Sequence, residues 1–461
     1  MKLKRSKWIF VKKILLIYIL VNIFICLVYL YFIKAEVRKK QNEYAVFENR
    51  QEFNDSTRKA GNSTSWITKN LTKFDHPLLD NIRKDKHTFC NGSFISHNGY
   101  FAILLHVVVD TNQATSQRRG GEYVSEVLNQ KEKDEFIKTT TGFFKMFCES
   151  KPVKTFSSSS GHLKEWEDSL EFLELSSDIP SVENTEDMVT FTIVRYDYAN
   201  LYWVMVDLYD IYFLSTFLGL NPNNIHILIV DAHPVSILDD IWWVLFPKVT
   251  RIRLASKTVM FNTLVWGLHR GNSPLLKNGN FKTFPLLEEF RHFVLSKTES
   301  QQNLSDIYCN NITVTIVLRK DYVAHARNPS GRVGRKIFNE QELLNKVSMA
   351  LKGHTVTGIQ LDLFPINKQI QLASRTDILV GMHGAGLSHV LFVPIHASLI
   401  ELFPVTHSTV SHFEFIARWR NIKYAKWQNK NKSMEIDKYT TNVDTEKVAA
   451  LILNAYQQMC P

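Results

Sequence analysis

Cysteine is scarce in this chain, five residues in 461, and no two of them stand at the spacing of a metal-ligand pair. No Asp-x-Asp tripeptide occurs, so the paired carboxylates that usually hold a divalent cation at a strand end are missing, and no metal ligand set is assigned. There is no internal repeat. Distributed basic charge is also scarce. The formal net charge is +10, but residues 1–40 hold ten Lys or Arg against the single acid Glu36. The rest of the chain is close to neutral, which argues against a nucleic-acid partner. A hydrophobic content of 45% and a charged content of 22% are globular values, and the length allows two or three domains with real cores.

Long apolar runs are limited to one, and it explains the basic N-terminus. Residues 14–33 carry no charge and only Asn22 as a clearly polar side chain, enough to cross a hydrocarbon core as a helix. Lys2, Lys4, Arg5, Lys7, Lys12 and Lys13 precede it, which favours a cytosolic N-terminus. Its exit, Tyr31-Phe32-Ile33-Lys34, lacks the small residues of a cleavage site. The reading is a cytosolic tail at 1–13, an uncleaved signal anchor at 14–33 and a polar stem at 34–75. The residues beyond the anchor are then expected in the secretory lumen. Asn-x-Ser/Thr sequons at Asn54, Asn62, Asn70, Asn91, Asn303, Asn311 and Asn431 agree with this. Cys26 lies in the apolar run. Cys90, Cys148, Cys309 and Cys460 allow two disulfides in three connectivities, of which Cys90 with Cys148 and Cys309 with Cys460 is favoured.

Two regions alternate apolar strands with helical patterns. The first holds strands at 189–194 and 225–230, with apolar and aromatic residues at helical spacing between Asn200 and Leu218. The second opens at Val314 and continues through a helix at 339–351, with Asn339 as its cap, to strands at 378–380 and 398–402. This alternation predicts an α/β fold with parallel sheets. The expected layout is two Rossmann-like domains facing a cleft: an acceptor domain at 76–300 and a nucleotide-sugar domain at 301–461, with ligands at the carboxyl ends of strands. The polar stretch 151–187 reads as a surface loop, and 296–307 as a hinge. An amphipathic helix near the C-terminus is expected to pack back across the two halves.

The segment Gly381-Met382-His383-Gly384-Ala385-Gly386 reads as a strand running through a glycine turn into a short helix. Glycines allow close backbone approach, and a helix start offers open N–H groups and a positive dipole end, which suits a diphosphate. Taken alone, such a turn more often serves packing. Arg319 stands where a strand end meets the cleft, fit for a phosphate or equally for Asp321. Glu401 can accept both hydroxyls of a ribose, or be a half-exposed edge residue. Together these assign donor binding to Arg319, His383, Gly384, Ala385, Gly386 and Glu401. On the other half Asp207 is the candidate general base, with a structural acid as the competing reading. Asn200, Asp231 and His233 are candidates for the acceptor.

With these residues assembled, the chain from Asp197 to Cys460 resembles the core β-1,2-xylosyltransferases of N-glycans. Their family also contains the O-GlcNAc transferases of EGF repeats and of dystroglycan. The likeness runs through Asp197-Tyr-Ala-Asn-Leu-Tyr, Ile229-Val-Asp-Ala-His233, Leu238-Asp-Asp-Ile-Trp242 and Arg319-Lys-Asp-Tyr-Val-Ala-His325. It continues in the glycine–histidine turn and in His412-Phe-Glu-Phe-Ile-Ala-Arg-Trp419. The resemblance implies a two-Rossmann, GT-B type fold and an inverting single displacement; no cofactor is expected, since the missing carboxylate pair leaves the diphosphate to backbone amides, Arg and His. It implies UDP-xylose as donor, O2 of the core β-mannose of N-glycans as acceptor, and a single-pass type II Golgi membrane protein. Trp203 departs from the pattern, since the family often has His there. Two alternatives stand beside this reading: an O-GlcNAc transferase using UDP-GlcNAc on protein Ser/Thr, and a glycan-binding relative without catalysis. A C-terminus of Met459-Cys460-Pro461, with no Lys-Asp-Glu-Leu-like signal, favours the Golgi reading over the first.

Overall fold

A computed structural model describes residues 77–461 apart from 98, 117, 119, 150, 153–160, 175–180, 253–254, 269, 277–283, 301–306 and 407–410. The expected anchor at 14–33, the stem, half of the expected hinge (301–306) and the sequons at Asn54, Asn62, Asn70 and Asn303 lie outside the described residues. Among the described residues no helix is long and apolar enough to cross a membrane. All of them fall within one compact unit, Thr64–Pro461.

The expected mixed α/β character is present. The first sheet begins antiparallel. β1 (Lys86–Phe89), β2 (Phe94–His97) and β3 (Phe101–Asp110) form a meander, turned at Gly99 with φ +72°. β3 then pairs antiparallel with β10 (Thr258–Trp266). From β10 onward the order β10, β7 (Thr190–Ile193), β8 (His226–Ile229), β9 (Lys248–Arg251) is parallel. β4 (Phe144–Phe147), β5 (Leu170–Leu173) and β6 (Asn184–Glu186) lie off this path. The strands at 189–194 and 225–230 are parallel as expected, while residues 86–110, for which the sequence carried no fold reading, add an antiparallel portion to the same sheet. The connections within 86–110 are too short for a crossover, and a short link forces antiparallel neighbours.

Residues 151–187 differ from the expected loop. They contain helix α2 (His162–Ser169) and strands β5 and β6, because Leu163, Trp166 and Leu170 are spaced to bury one helical face. Helix α1 (Pro77–Lys84) precedes the meander and lends Leu78, Leu79 and Ile82 to the core.

The second sheet is parallel throughout. Its order is β13 (Thr355–Ile359), β11 (Thr313–Val317), β14 (Ile378–Met382), β15 (Ser398–Phe403), β16 (Lys423–Gln428). β14 is central and apolar, as a strand covered on both faces must be. A small third sheet joins β12 (Lys336–Ile337), β17 (Glu435–Asp437) and β18 (Thr440–Thr441).

Helix α3 (Leu201–Phe217) follows β7 and is apolar almost all round. Thirteen of its residues are buried, and only Trp203, Asp207, Tyr212 and Thr216 form a partly exposed stripe. The largest hydrophobic cluster combines Phe191, Ile193 and Ile227 of the first sheet with Leu379 and Leu399 of the second and with Leu387 just after its central strand. Between them lie α3, α5 (Leu287–Lys297), α7 (Ile366–Ala373) and α8 (His412–Trp419). The remaining helices are α4 (Asp240–Leu245), α6 (Glu340–Ala350) and α9 (Thr445–Met459).

The C-terminal helix α9 does not fulfil the expected crossing. It lies on α6 and buries Val448, Ala449, Ile452 and Ala455 into the core of the second sheet. Asn339 precedes α6 but does not cap it with its side chain; it bonds the backbone of Val443 instead. Both disulfides are formed in the favoured pairing, Cys90–Cys148 and Cys309–Cys460, the second tying the start of the second sheet to the end of α9.

Candidate active site at the carboxyl edge of the second sheet

The glycine turn leaves β14 at its carboxyl end. Parallel register sets Gly381 beside Val317 on one side and beside Glu401 on the other. A β-carbon at Gly381 would press on Leu387 and Val317, so the first glycine serves packing. Gly384 differs. A β-carbon there would overlap the guanidinium of Arg319, which lies directly against it. A short 3₁₀ helix, Ala385–Leu391, comes next, with Ala385 and Gly386 half-exposed. The structure therefore brings Arg319, His383, Gly384, Ala385, Gly386 and Glu401 together at one strand edge.

Arg319 is held by its Nε, which donates to the carbonyl of Gly334 at 2.9 Å. That contact sets it beside Arg335. Burial pushes Arg319 down to about 10, and the neighbouring charge of Arg335 adds to the shift. Arg335 is lowered as well, by burial, with Glu401 acting against it. Among the described residues neither guanidinium has a carboxylate at ion-pair distance; Asp321, the competing partner for Arg319, pairs with Lys336.

Glu401 does not take the expected ribose role. It is fully buried on β15, accepts from Tyr424 on β16 at 2.8 Å and meets Nδ1 of His383 at 2.5 Å. Both carboxylate oxygens are thus committed to protein groups, and the residue orients His383. The imidazole is further enclosed by Phe403, stacked at 5.2 Å, and Phe413 at 5.4 Å. Neither Tyr424 nor Arg335 was legible in the sequence, one being a tyrosine on an edge strand and the other one of several cations (Arg327, Arg332, Arg335, Lys336) in a polar loop.

On the other half, α3 packs against the 3₁₀ helix after the turn. Tyr202 in its first turn lies 4.9 Å from the His412 ring and 5.9 Å from Phe413. Asp207 stands five residues further, on the partly exposed stripe one turn beyond Trp203. It borders a cavity at the carboxyl ends of β7 and β10, lined also by His162, Ile193, Asp210 and Gly267. Asp210 is buried, accepts from Ser273 at 2.7 Å, and is raised well above an ordinary aspartate by burial, with Asp207 adding to the rise.

The three acceptor candidates have structural partners. Asn200 caps α3, its side chain accepting from the backbone of Tyr202 at 3.0 Å. Asp231 and His233 are completely buried. Asp231 takes a bidentate bond from Arg195 at 2.8 and 2.9 Å, and that cation, acting against burial, holds it well below its usual range. His233 lies between Asp231 and Glu135. A strand-end acid that looked cleft-facing instead neutralises an enclosed arginine, and offers no surface to an acceptor. Of the sequons described, Asn91, Asn311 and Asn431 are all exposed.

The geometry defines a class: an α/β protein with an anion-suited turn on its central parallel strand. Residues 273–400 match the family model Glycosyltransferase 61, a span that includes Arg319 and the glycine turn. The resemblance read from the motifs is borne out. The chain is 28% identical over 275 residues to a β-1,2-xylosyltransferase of Arabidopsis thaliana, covering 51% of this chain and 50% of the relative. It is 26% identical over 260 residues to a β-1,2-xylosyltransferase of Oryza sativa subsp. japonica, covering 51% and 48%. It is 27% identical over 257 residues to an EGF domain-specific O-linked N-acetylglucosamine transferase of Canis lupus familiaris, covering 52% and 45%. The chain spans about half the length of these curated relatives.

Proposed function

We propose that this chain is an inverting glycosyltransferase that moves xylose from UDP-xylose to O2 of the core β-mannose of N-glycans. The observation that carries the proposal is the guanidinium of Arg319 packed on Gly384 at the carboxyl edge of the central parallel strand. The glycosyltransferase 61 match covers that place, and two of the relatives are β-1,2-xylosyltransferases.

In this reading the two sheets are the acceptor and nucleotide-sugar domains of a GT-B type enzyme, at 76–300 and 301–461. The pyrophosphate of the donor sits over Gly384, Ala385 and Gly386. Main-chain amides and Arg319 neutralise it without a metal cofactor, and His383, fixed by Glu401, adds a donor from its other ring nitrogen. Asp207 takes the proton of the acceptor hydroxyl as its oxygen attacks the anomeric carbon. The bond to the β-phosphate oxygen breaks in the same step, and the charge of the departing UDP develops beside Arg319. The sequence adds a type II Golgi membrane protein with its catalytic part in the lumen.

A second reading has its own support. The EGF domain-specific O-linked N-acetylglucosamine transferase matches over as much of the chain as the xylosyltransferases do. It would keep the donor site and use UDP-GlcNAc on protein Ser/Thr. One assay separates them. The purified chain is offered UDP-xylose and UDP-GlcNAc with core N-glycans and with EGF-type domains, and the products are weighed. A pentose added to the N-glycan supports the first reading. An N-acetylhexosamine on the EGF-type domain supports the second, and no transfer from either donor overturns both.

A further inference from the structure

The loop from Arg319 to Arg335 leaves β11 and returns to β12 with an arginine at each end. Its middle is fastened to the first sheet's loops. His325 meets Asp197 at 2.8 Å, and Arg327 bridges Asp197 at 3.0 Å and Glu135 at 2.5 Å. The amide of Ala326 donates to the phenol oxygen of Tyr198. These four contacts make the loop a strap fixed at its centre, so the positions of its two ends are set. One end is Arg319, on Gly384. The other is Arg335, adjoining the Gly334 carbonyl that Arg319 holds.

Arg335 is unusual on three counts. Its backbone is left-handed, φ +60°, a conformation that costs a non-glycine residue about 1 kcal/mol or more and concentrates at functional sites. Its guanidinium is half-buried yet makes no side-chain hydrogen bond or ion pair among the described residues, although five donors are present. Arg319 is held on the carbonyl of the preceding residue, Gly334, so two desolvated cations whose like charges oppose each other lie close to the turn at Gly384. The buried carboxylate on that side, Glu401, is already taken by His383 and Tyr424. Two like charges held together at a loss are stabilised by an anion that bridges them.

We infer that Arg335 is the second cation of a two-arginine clamp closing on the pyrophosphate of a nucleoside diphosphate, opposite Arg319. The inference deepens the glycosyltransferase reading, because it concerns the same site and adds a residue to it. A pyrophosphate presents oxygens on two phosphorus atoms, and a pair of forked guanidiniums can take one phosphate each. A monophosphate engages only one of them.

Calorimetric titration of the purified full chain with UDP, UMP and inorganic pyrophosphate tests this. Arg335→Gln is expected to weaken UDP and pyrophosphate by about 10- to 100-fold, the range for a charge-assisted bond, and to weaken UMP much less. Arg335→Lys keeps the charge without the fork and is expected to fall between, which keeps the test valid if the glutamine variant folds poorly. A folded glutamine variant with unchanged UDP affinity overturns the clamp. So does an equal loss for UMP and UDP. If the wild-type chain binds pyrophosphate but no nucleotide, and Arg335→Gln loses it, the clamp stands while the glycosyltransferase reading falls. Binding of none of the three by the wild type overturns both.

Discussion

The guanidinium of Arg319 occupies the space that a β-carbon on residue 384 would need. Glycine at this position is therefore required by a neighbour in space, and its extended backbone, φ 162°, makes no such demand. Replacement by alanine must displace Arg319 or open the turn. We expect Gly384→Ala to destabilise the fold by about 1–3 kcal/mol, the usual cost of overpacking. UDP affinity should fall with it. Thermal melting and calorimetry read both, and an alanine variant with wild-type UDP affinity would show that Arg319 does not face the ligand.

Asp207 lies on the only partly exposed stripe of an otherwise enclosed helix, one turn from Trp203. Asp207→Asn keeps the shape and removes the carboxylate proposed to take the acceptor's proton. Turnover should drop by roughly 10²- to 10⁴-fold while UDP binding is unchanged. A variant that turns over normally removes Asp207 from the reaction.

Tyr424 reaches Glu401 from the next strand, and Glu401 in turn holds His383. Tyr424→Phe leaves a buried carboxylate oxygen short of a donor, at a cost of about 1–3 kcal/mol. Because that carboxylate orients His383, UDP affinity should fall as well as the melting temperature. A variant that loses stability with its UDP affinity unchanged would make Tyr424 a packing residue only.

Asp210 gives a pH dependence of stability with a definite sign. Burial raises it well above an ordinary aspartate, Asp207 adds to the rise, the Ser273 hydroxyl donates to it, and His162 and Asp207 line the same cavity. The folded state then binds the proton more tightly than the unfolded state. Its contribution is full below the unfolded value of about 3.9 and is lost as pH rises through the higher folded value. Asp210→Asn carries no such term, so its melting temperature relative to wild type should be higher at pH 8 than at pH 5. An offset that does not change with pH contradicts the shift.

What could be read in the sequence was local. The turn at 381–386 and Arg319 declare themselves because a strand, a glycine spacing and a strand-end cation are written in consecutive residues. The role of Glu401 was not legible, since it depends on which strands flank β15 and in what register. Asp231 and His233 illustrate the same limit. A strand-end acid has one appearance in sequence whether it faces a cleft or an enclosed arginine, and Arg195 is 36 residues away. Arg335 gave no signal at all, because its position depends on a strap pinned by His325 and Arg327 to the opposite sheet. The antiparallel meander at 86–110 escaped because its short links, not its strand composition, decide the pairing.

The central claim is that a nucleotide's pyrophosphate rests on the turn after β14. A crystal structure of the chain with UDP tests it most directly. The account predicts the β-phosphate within hydrogen-bond reach of the amides at Gly384–Gly386 and of the Arg319 guanidinium. UDP seated elsewhere, with Arg319 still folded on Gly384 and no phosphate beside it, would contradict it.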